Sequence, residues 1–445
     1  MHSNDYITMN IQRLDLAKPV MAQFELTDLC NHMCIHCYHY DSASFSSKKQ
    51  VSDETVLAVA HEIINAHIFN VVITGGEPLI KQNLSQKVIS FLCDNDIQVG
   101  LNSNITLLSN EFLDFIKEHK INILTSCPSS NKDKYNHMVG ANKYDVFIER
   151  LKRIYDVGAH CSVNMVVNKE NVQEIKATAL FLKEIGCYSF SATPMFLNIN
   201  NPQKDLLLSK DQVERVIDDL LWVETELKMK VDILESLPKC VFAPSIRNGT
   251  HSFLNRKCQA GRTVIGVSPN GDIRPCSTNT EVYGNILRED IRNIWKKMSN
   301  WRSTEYFPDE CKKCSWIDRC NAGCRINSKA YYGQWNSPEI WSDAPILEPP
   351  VSDYKNYNLK KDSKITINKE FSYREEYENI FVIYNRVDES FMMVNKSLMD
   401  FIMSLKTLAF STLADLARAY NVSTSEIEFV NTINLLINKK ILEYE

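Results

Sequence analysis

Residues 20 to about 193 alternate short runs of strand-forming residues with amphipathic helical patterns. The runs that we predict as strands are 20–26, 70–74, 97–101, 121–125, 160–167 and 188–192. This alternation predicts a parallel sheet with helices packed outside it. Six such repeats are too few for a closed eight-stranded barrel, so we predict an α/β fold built on a partial (β/α)6 TIM-like barrel. In such folds the chemistry lies at the C-terminal ends of the strands.

The composition restricts the partners and the compartment. The chain has 445 residues and a formal net charge of −5, which offers no basic face for nucleic acid. No stretch approaches the roughly 20 apolar residues of a membrane span, and the first residues, MHSNDYITMN, lack the order of a secretory signal. We therefore expect a cytoplasmic protein whose 14 cysteines are ligands or free thiols, not a disulfide framework.

A first cysteine cluster directly follows the first predicted strand. Cys30, Cys34 and Cys37 have the spacing C-x3-C-x2-C, which lets three thiolates converge on one group. The same stretch contains His32, His36 and His39. Structural zinc takes four ligands, and one of these histidines could supply the fourth. A cube of four irons held by three thiolates instead leaves one iron open to a small molecule. The spacing alone leaves both interpretations open.

A second motif favours the iron–sulfur interpretation. Gly75, Gly76 and Glu77 end the next predicted strand, where adjacent glycines allow close approach to the backbone. Together with the C-x3-C-x2-C loop, this motif resembles the radical S-adenosylmethionine (SAM) superfamily over residues 20 to about 200. The resemblance implies that the three cysteines hold a 4Fe–4S cluster whose open iron chelates SAM. It also implies cleavage of SAM to a 5′-deoxyadenosyl radical that abstracts hydrogen from the substrate.

The resemblance also suggests which residues contact SAM. Glu77 and the backbone of Gly75 and Gly76 would hold the SAM ammonium, and His36 would lie near the adenine. Ribose contacts would come from the ends of the following strands, with Asn102, Ser103, Asn104 and Ser126 as candidates. His32 and His39 are expected to be solvated or to face the substrate.

A second group of cysteines lies between residues 258 and 324. Its pattern is C258-x12-G271-x4-C276 followed by C311-x2-C314-x5-C320-x3-C324. This pattern resembles the SPASM extension of radical SAM enzymes that modify peptides and proteins. The resemblance implies two auxiliary iron–sulfur clusters, the first held by Cys258, Cys276 and Cys324 and the second by Cys311, Cys314 and Cys320. A zinc ribbon is the alternative for six cysteines with two short knuckles.

This chain departs from the SPASM pattern in its fourth ligands. The family has a further cysteine after the four-cysteine knot, but none follows Cys324. The second auxiliary site is therefore open or has another ligand, for which Asp343 is a candidate. Cys240 is the nearest upstream candidate for the first site, and a plain buried thiol is the alternative. Ser277 stands where sulfatase-maturing relatives carry an acidic base, which disfavours that activity.

The last residues predict a small winged-helix-like domain. Strands are expected at 380–384 and 389–394, followed by helices near 396–405, 412–420 and 424–438. This order resembles PqqD-like domains, in which a leader peptide adds as a strand to the sheet edge beside the first helix. A DNA-binding winged helix is the alternative, but Glu426 and Glu428 on the last helix would repel phosphate.

These features predict a cytoplasmic radical SAM peptide maturase. We expect a barrel at 1–225, a SPASM domain at 226–345 and a PqqD-like peptide-recognition domain at 346–445. The reaction expected is a carbon–carbon, ether or thioether crosslink in a ribosomal precursor peptide, begun at a side-chain Cβ. An external one-electron donor such as flavodoxin or ferredoxin would be needed. Oxidation or epimerisation without a crosslink is the alternative among enzymes, and a zinc-dependent DNA-binding regulator is the alternative outside them.

Overall fold

The computed structural model describes residues 15–38, 50–200, 202–352 and 354–445. These residues form two compact units. The barrel unit runs from Pro19 to Pro350, and the C-terminal unit combines the described residues up to Lys18 with those from Val351 to Glu445. None of the helices in the described ranges combines the length and the apolar character needed to cross a bilayer.

The barrel unit begins with seven strands that alternate with helices. The strands are β1 (Met21–Glu25), β2 (Asn70–Thr74), β3 (Gln98–Asn102), β4 (Asn122–Ser126), β5 (Cys161–Val167), β6 (Ser189–Pro194) and β7 (Lys230–Asp232). The helices are α1 (Asp53–Asn65), α2 (Gln82–Asp94), α3 (Asn110–Glu118), α4 (Lys132–Val139), α5 (Tyr144–Asp156), α6 (Ile175–Glu184) and α7 (Lys210–Glu226). The six strands predicted from the sequence are confirmed. The prediction missed β7, whose three residues are too few for a periodic signal.

The cysteine-rich part of the barrel unit consists of short elements. Its strands are β8 (Val264–Val267), β9 (Asp272–Arg274) and β10 (Gly284–Asn285). Its helices are α8 (Pro244–Arg247), α9 (Ile291–Lys297), α10 (Ser299–Arg302), α11 (Asp309–Lys312), α12 (Ile317–Cys320) and α13 (Arg325–Tyr332). The turn between β8 and β9 lies at Asn270 and Gly271, where Gly271 has φ +88°, a backbone conformation that glycine adopts without strain.

All ten strands of the barrel unit form one sheet in the order β10-β9-β8-β1-β2-β3-β4-β5-β6-β7. Strands β1 to β7 pair in parallel, and β8 also pairs in parallel with β1. The sheet ends at β10 on one side and β7 on the other, so the predicted α/β partial barrel is confirmed. The C-terminal ends of the parallel strands therefore share one edge, where the chain places its polar loops.

The C-terminal unit contains two small sheets and three helices. Its strands are β11 (Ile365–Ile367), β12 (Phe371–Tyr377), β13 (Ile380–Asn385), β14 (Phe391–Asn395) and β15 (Leu442–Tyr444). Its helices are α14 (Lys396–Leu405), α15 (Leu413–Ala419) and α16 (Ile427–Asn438). Strands β12, β13 and β14 form an antiparallel sheet in that order, and β11 pairs with β15. The two strands and three helices predicted for this region are present.

The sequence missed β12 because its charged residues look like a surface loop. The guanidinium of Arg374 and the carboxylate of Glu376 instead form a buried ion pair, with Nε 2.8 Å from Oε2. The backbone N–H groups of Ala17 and Lys18 also donate to Glu376, and the carbonyl of Lys18 accepts from Arg374. Residues 15–18 therefore satisfy the buried charges of this strand.

Candidate active site

The cysteine loop that follows β1 lies against the loop that follows β2. The Gly76 N–H donates to the Thr27 carbonyl, and the Glu77 N–H donates to the Leu29 carbonyl, both at 2.7 Å. A Cβ added to Gly76 would lie 2.0 Å from the Leu29 oxygen, and Gly75 has φ +122°. The glycine pair is therefore required by the backbone that leads into Cys30. The sequence predicted a close approach here, and the structure shows that the cysteine loop itself makes it.

The thiols of Cys30, Cys34 and Cys37 lie close enough to interact electrostatically. Burial raises the pKa of Cys34, and the neighbouring thiols of Cys37 and Cys30 raise it further. Burial also raises the pKa of Cys30 to about 11. Yet no three His, Cys, Asp or Glu side chains in the described ranges converge on the position of a single metal ion. Three thiols on one short loop match the ligand set of a 4Fe–4S cluster that leaves one iron open.

Two histidines of this loop have different environments. Nδ1 of His36 is buried and finds no hydrogen-bond partner among the described residues, and burial lowers the pKa of this ring to about 4. A neutral ring with an unsatisfied nitrogen fits the predicted place beside a bound ligand. His32 is only 4% exposed, and its Nε2 lies 3.4 Å from the Thr106 hydroxyl. His32 is therefore not solvated, and its facing the substrate stays a prediction, while His39 lies outside the described residues.

Glu77 joins the loops that follow β2 and β3. Its carboxylate accepts hydrogen bonds from the Leu79 N–H at 2.9 Å, the Ser103 hydroxyl at 2.8 Å and the Asn104 N–H at 2.7 Å. The side chain is 1% exposed, and burial raises its pKa to about 7. The Asn104 amide in turn donates to the Asn31 side chain at 2.7 Å, beside Cys30. Contact of Glu77 with the SAM ammonium stays a prediction, since the contacts within the chain give this carboxylate a positioning role.

The remaining predicted SAM contacts lie at the same edge of the sheet. Asn102 ends β3 and is half-buried, and Ser126 ends β4 with an exposed side chain. Ser103 is buried, and its hydroxyl donates a hydrogen bond to Glu77, so this hydroxyl positions the Glu77 carboxylate. The structure thus brings the predicted positions to one edge, and their contacts with ribose stay predictions.

Removing the Glu77 carboxylate is expected to weaken both the fold and SAM binding. Glu77→Ala leaves two backbone N–H groups and one hydroxyl without their acceptor, which we expect to lower the free energy of unfolding by about 3 kcal/mol. Loss of the link to Asn104 is expected to weaken SAM binding about tenfold or more. Denaturant unfolding and equilibrium dialysis with SAM measure the two effects. The control is Glu118→Ala on an exposed helix face, and equal behaviour of the two variants would contradict the assignment.

Cys258, Cys276 and Cys324 form one group in the cysteine-rich part. Burial and the thiols of Cys258 and Cys276 raise the pKa of Cys324, and burial raises the pKa of Cys276 to about 11. Glu235 adds negative charge beside Cys258 and Cys324. Its side chain is exposed to solvent. Glu235 was not predicted, because it follows β7, the short strand that the sequence pattern also does not reveal.

Cys311, Cys314 and Cys320 form a second group, and Cys240 lies with them in one cavity. Burial raises the pKa of Cys311 to about 12, with further contributions from Cys320, Cys240 and Cys314. The assignment of Cys240 to the Cys258 group is therefore not supported by its position. The Asp343 carboxylate forms an ion pair with Lys210, while its backbone N–H donates to the Cys240 sulfur at 3.1 Å. The structure therefore gives Asp343 no ligand-like placement of its carboxylate.

A buried ion pair that the sequence analysis missed links the two cysteine regions. A guanidinium nitrogen of Arg274 on β9 lies 2.5 Å from the carboxylate of Glu25 on β1, and Glu25 is 2% exposed. Arg274 also donates to the carbonyls of Ser277 and Asn279, just after Cys276. A charged residue inside the apolar run 20–26 is the signal that could have revealed this pair.

Breaking this ion pair is expected to destabilise the barrel unit. Arg274→Met leaves the Glu25 carboxylate buried without its cation, which we expect to cost about 3 kcal/mol or more of unfolding free energy. Pairing Arg274→Met with Glu25→Gln removes both charges and is expected to restore most of that loss. Denaturant unfolding of the two single variants and the double variant measures this. If the double variant loses as much unfolding free energy as the two single variants together, the two side chains do not stabilise each other.

Comparisons with known proteins identify two domains whose ranges contain these cysteines. The model of the radical SAM superfamily matches residues 24–182, and the model of the SPASM iron–sulfur cluster-binding domain matches residues 258–315. The AdoMet-dependent heme synthase of Methanosarcina barkeri (strain Fusaro / DSM 804) is 22% identical over 338 residues, which cover 72% of this chain and 95% of the relative. The subtilosin biosynthesis protein AlbA of Bacillus subtilis (strain 168) is 26% identical over 333 residues, which cover 71% of this chain and 69% of AlbA.

A solved structure shares the fold. Streptococcus suis SuiB bound to its precursor peptide SuiA matches with a TM-score of 0.61 at 16% identity, and the match covers 73% of this chain and 76% of SuiB. The cysteine loop after β1 lies inside the first matched family range, and Cys258 and Cys276 lie inside the second. The chain therefore carries a radical SAM domain, which binds a 4Fe–4S cluster and SAM, and a SPASM domain, which binds auxiliary iron–sulfur clusters.

Proposed function

We propose that this radical SAM enzyme installs a crosslink in a ribosomally made precursor peptide. The observation that carries the proposal is the open sheet edge of the C-terminal unit, present on a chain that also has the radical SAM and SPASM domains. We divide the chain for this function into a barrel at 1–225, a SPASM domain at 226–345 and a PqqD-like recognition domain at 346–445.

Strand β14 offers its backbone to an added strand. The Asn385 N–H donates to the Ser390 carbonyl, and the Lys396 N–H donates to the Asn379 carbonyl. Because antiparallel partners alternate along a strand, residues 392 and 394 bond to β13, and the backbone groups of Phe391 and Met393 face the open edge. No further strand in the described ranges pairs with β14. Helix α14 follows directly, so a leader peptide can lie beside it as a fourth strand.

The barrel unit contributes the chemistry. When bound, the cluster and SAM supply a 5′-deoxyadenosyl radical that takes hydrogen from a carbon, which we propose is a side-chain Cβ of the core peptide. The chain's residues hold the cluster through three thiolates, position SAM through the loops that Glu77 joins, and exclude water. Binding of the leader at a remote edge helps to offset the ordering of a flexible core peptide. A cytoplasmic flavodoxin or ferredoxin would supply the electron that cleaves SAM. Closing the crosslink would release the second hydrogen as a proton and one electron, and an auxiliary cluster of the SPASM domain would accept that electron.

Two competing interpretations remain to be tested against this proposal. AlbA is named for subtilosin biosynthesis and SuiB was solved with a precursor peptide, which supports a peptide substrate. The heme synthase relative represents a substrate of another class, and the open edge of β14 favours the peptide. Within peptide chemistry, oxidation or epimerisation without a crosslink is the alternative.

Co-expression of the enzyme with each short open reading frame that is found beside its gene tests the proposal. Mass spectrometry of the recovered peptide is expected to show a loss of two hydrogens and fragments that stay linked across the modified segment. The same loss with ordinary fragmentation would indicate oxidation, and unchanged mass with deuterium uptake from D2O would indicate epimerisation. An unmodified peptide, with full iron loading of the enzyme, would contradict a peptide substrate.

A further inference from the structure

Four cysteines, rather than three, surround the second auxiliary site. The sulfur-bearing side chains of Cys240, Cys311, Cys314 and Cys320 line one small, largely apolar cavity. Cys240 follows Pro238 and Lys239, which line the same cavity, although it lies far upstream of the knot in sequence. The fold therefore brings an upstream cysteine to the place where the SPASM pattern lacks its downstream one.

Backbone N–H groups point at three of these four sulfurs. The Lys239 N–H donates to Cys320 at 3.3 Å, the Asp343 N–H to Cys240 at 3.1 Å and the Ile346 N–H to Cys314 at 3.4 Å. Such donors stabilise the negative charge of a thiolate bound to iron and set the cluster's potential. Cys240 receives the same kind of donor as its neighbours in the knot, and a plain buried thiol would not need one.

The surrounding charges suit a cluster with four thiolates. A 4Fe–4S cluster with four cysteine ligands is more negative than one with three, so a buried cation beside it is favourable. Lys239 is only 1% exposed, and its ammonium donates to the Arg256 carbonyl at 2.6 Å. The charge of this ammonium also interacts with the Cys320 sulfur. The Asp343 carboxylate, the competing ligand, is held by Lys210 instead.

We propose that Cys240 is the fourth ligand of the second auxiliary cluster, with Cys311, Cys314 and Cys320. The SPASM pattern takes this fourth ligand from a cysteine after the four-cysteine knot, whereas here Cys240 supplies it from before the knot. This cluster then has no iron open to substrate. The Cys258, Cys276 and Cys324 group is left with three cysteines, so it is the auxiliary cluster that can bind a substrate or a further ligand. This assignment is independent of which bond the enzyme forms.

Thiol alkylation of the iron-loaded protein tests the assignment. Cys240 also lines a separate surface cavity of about 590 Å³, so a small reagent such as iodoacetamide can reach its thiol when no iron holds it. Anaerobically purified protein and chelator-treated protein are alkylated, digested and quantified by mass spectrometry. Cys93 on α2, half-buried and outside both cysteine groups, serves as the internal reference.

We expect Cys240 to react roughly tenfold or more slowly in the iron-loaded protein than after iron removal, relative to Cys93. The same protection is expected for Cys311, Cys314 and Cys320. Protection of these three with an unprotected Cys240 would overturn the assignment, because the cluster would then be present without it. Protection that appears in all four thiols supports it whatever the peptide substrate turns out to be.

A variant pair gives an independent measurement. Cys240→Ala leaves the second cluster with three thiolates, so mild oxidation is expected to release its fourth iron. The electron paramagnetic resonance signal of 3Fe–4S clusters should then increase by about one spin per chain over wild type. Cys93→Ala is the matched control and should behave like wild type. A Cys240→Ala signal equal to that of the control, with the same iron content, would contradict ligation by Cys240.

Discussion

Replacing Cys34 with alanine is expected to abolish SAM cleavage while leaving a folded, soluble protein. The C-x3-C-x2-C pattern of the loop after β1 supplies three thiols as ligands of the SAM cluster, and Cys34 is the middle one. With two thiolates left, the cluster should not persist, and about four irons per chain should be lost. SAM cleavage should fall to the background of the reductant alone.

The measurement combines iron analysis, circular dichroism and quantification of 5′-deoxyadenosine after anaerobic reduction. Cys93→Ala is the matched control, since Cys93 lies on α2 outside both cysteine groups, and it should keep full iron and activity. Auxiliary cysteines are unchanged in Cys34→Ala, so the iron of those clusters should remain. Retained SAM cleavage in Cys34→Ala would refute the assignment of this loop.

Replacing Met393 with proline is expected to weaken binding of the precursor peptide about tenfold or more. Residue 393 opposes Val382 in the sheet but directs its backbone N–H toward the open edge of β14. Proline removes this donor and places its ring where an added strand would lie, while the hydrogen bonds to β13 are kept. Loss of one or two backbone hydrogen bonds, at about 1 kcal/mol each, accounts for the size of the effect.

Two controls isolate the edge effect. Met393→Ala keeps the backbone N–H and should bind within about twofold of wild type. Tyr373→Pro makes the same change at the opposite edge, because Tyr373 lies at an outward-facing position of β12. Binding is measured by fluorescence anisotropy with a labelled form of the precursor peptide identified by co-expression. Equal weakening by Tyr373→Pro and Met393→Pro would contradict leader binding at β14.

Much of the barrel was predictable because buried parallel strands form continuous apolar runs. The strands at 70–74 and 161–167 needed no knowledge of their partners. The pairing of β8 with β1 could not be predicted, because those residues are more than 200 positions apart. The sequence of a strand does not indicate which distant strand it pairs with. β12 was missed for a related reason, since only tertiary contacts reveal that its Arg374 and Glu376 are buried.

The cysteine sites were predictable as groups but not in their details. The spacing of Cys30, Cys34 and Cys37 indicates one cluster, and the knot at 311–324 indicates another. The position of Cys240 depends on how the chain returns after β7, which no local pattern encodes. The burial of His32 could not be predicted for the same reason, because its contact with Thr106 comes from a later loop.

The most direct test of the central claim is the stoichiometry of a reaction with purified components. Iron-loaded enzyme, SAM, a chemical reductant and the precursor peptide identified by co-expression are incubated anaerobically. The amounts of 5′-deoxyadenosine and of linked peptide are then measured over time. We predict about one 5′-deoxyadenosine for each crosslink, with a loss of two hydrogens from the peptide. Formation of 5′-deoxyadenosine at the same rate with and without the peptide, and with the peptide left unlinked, would contradict the account.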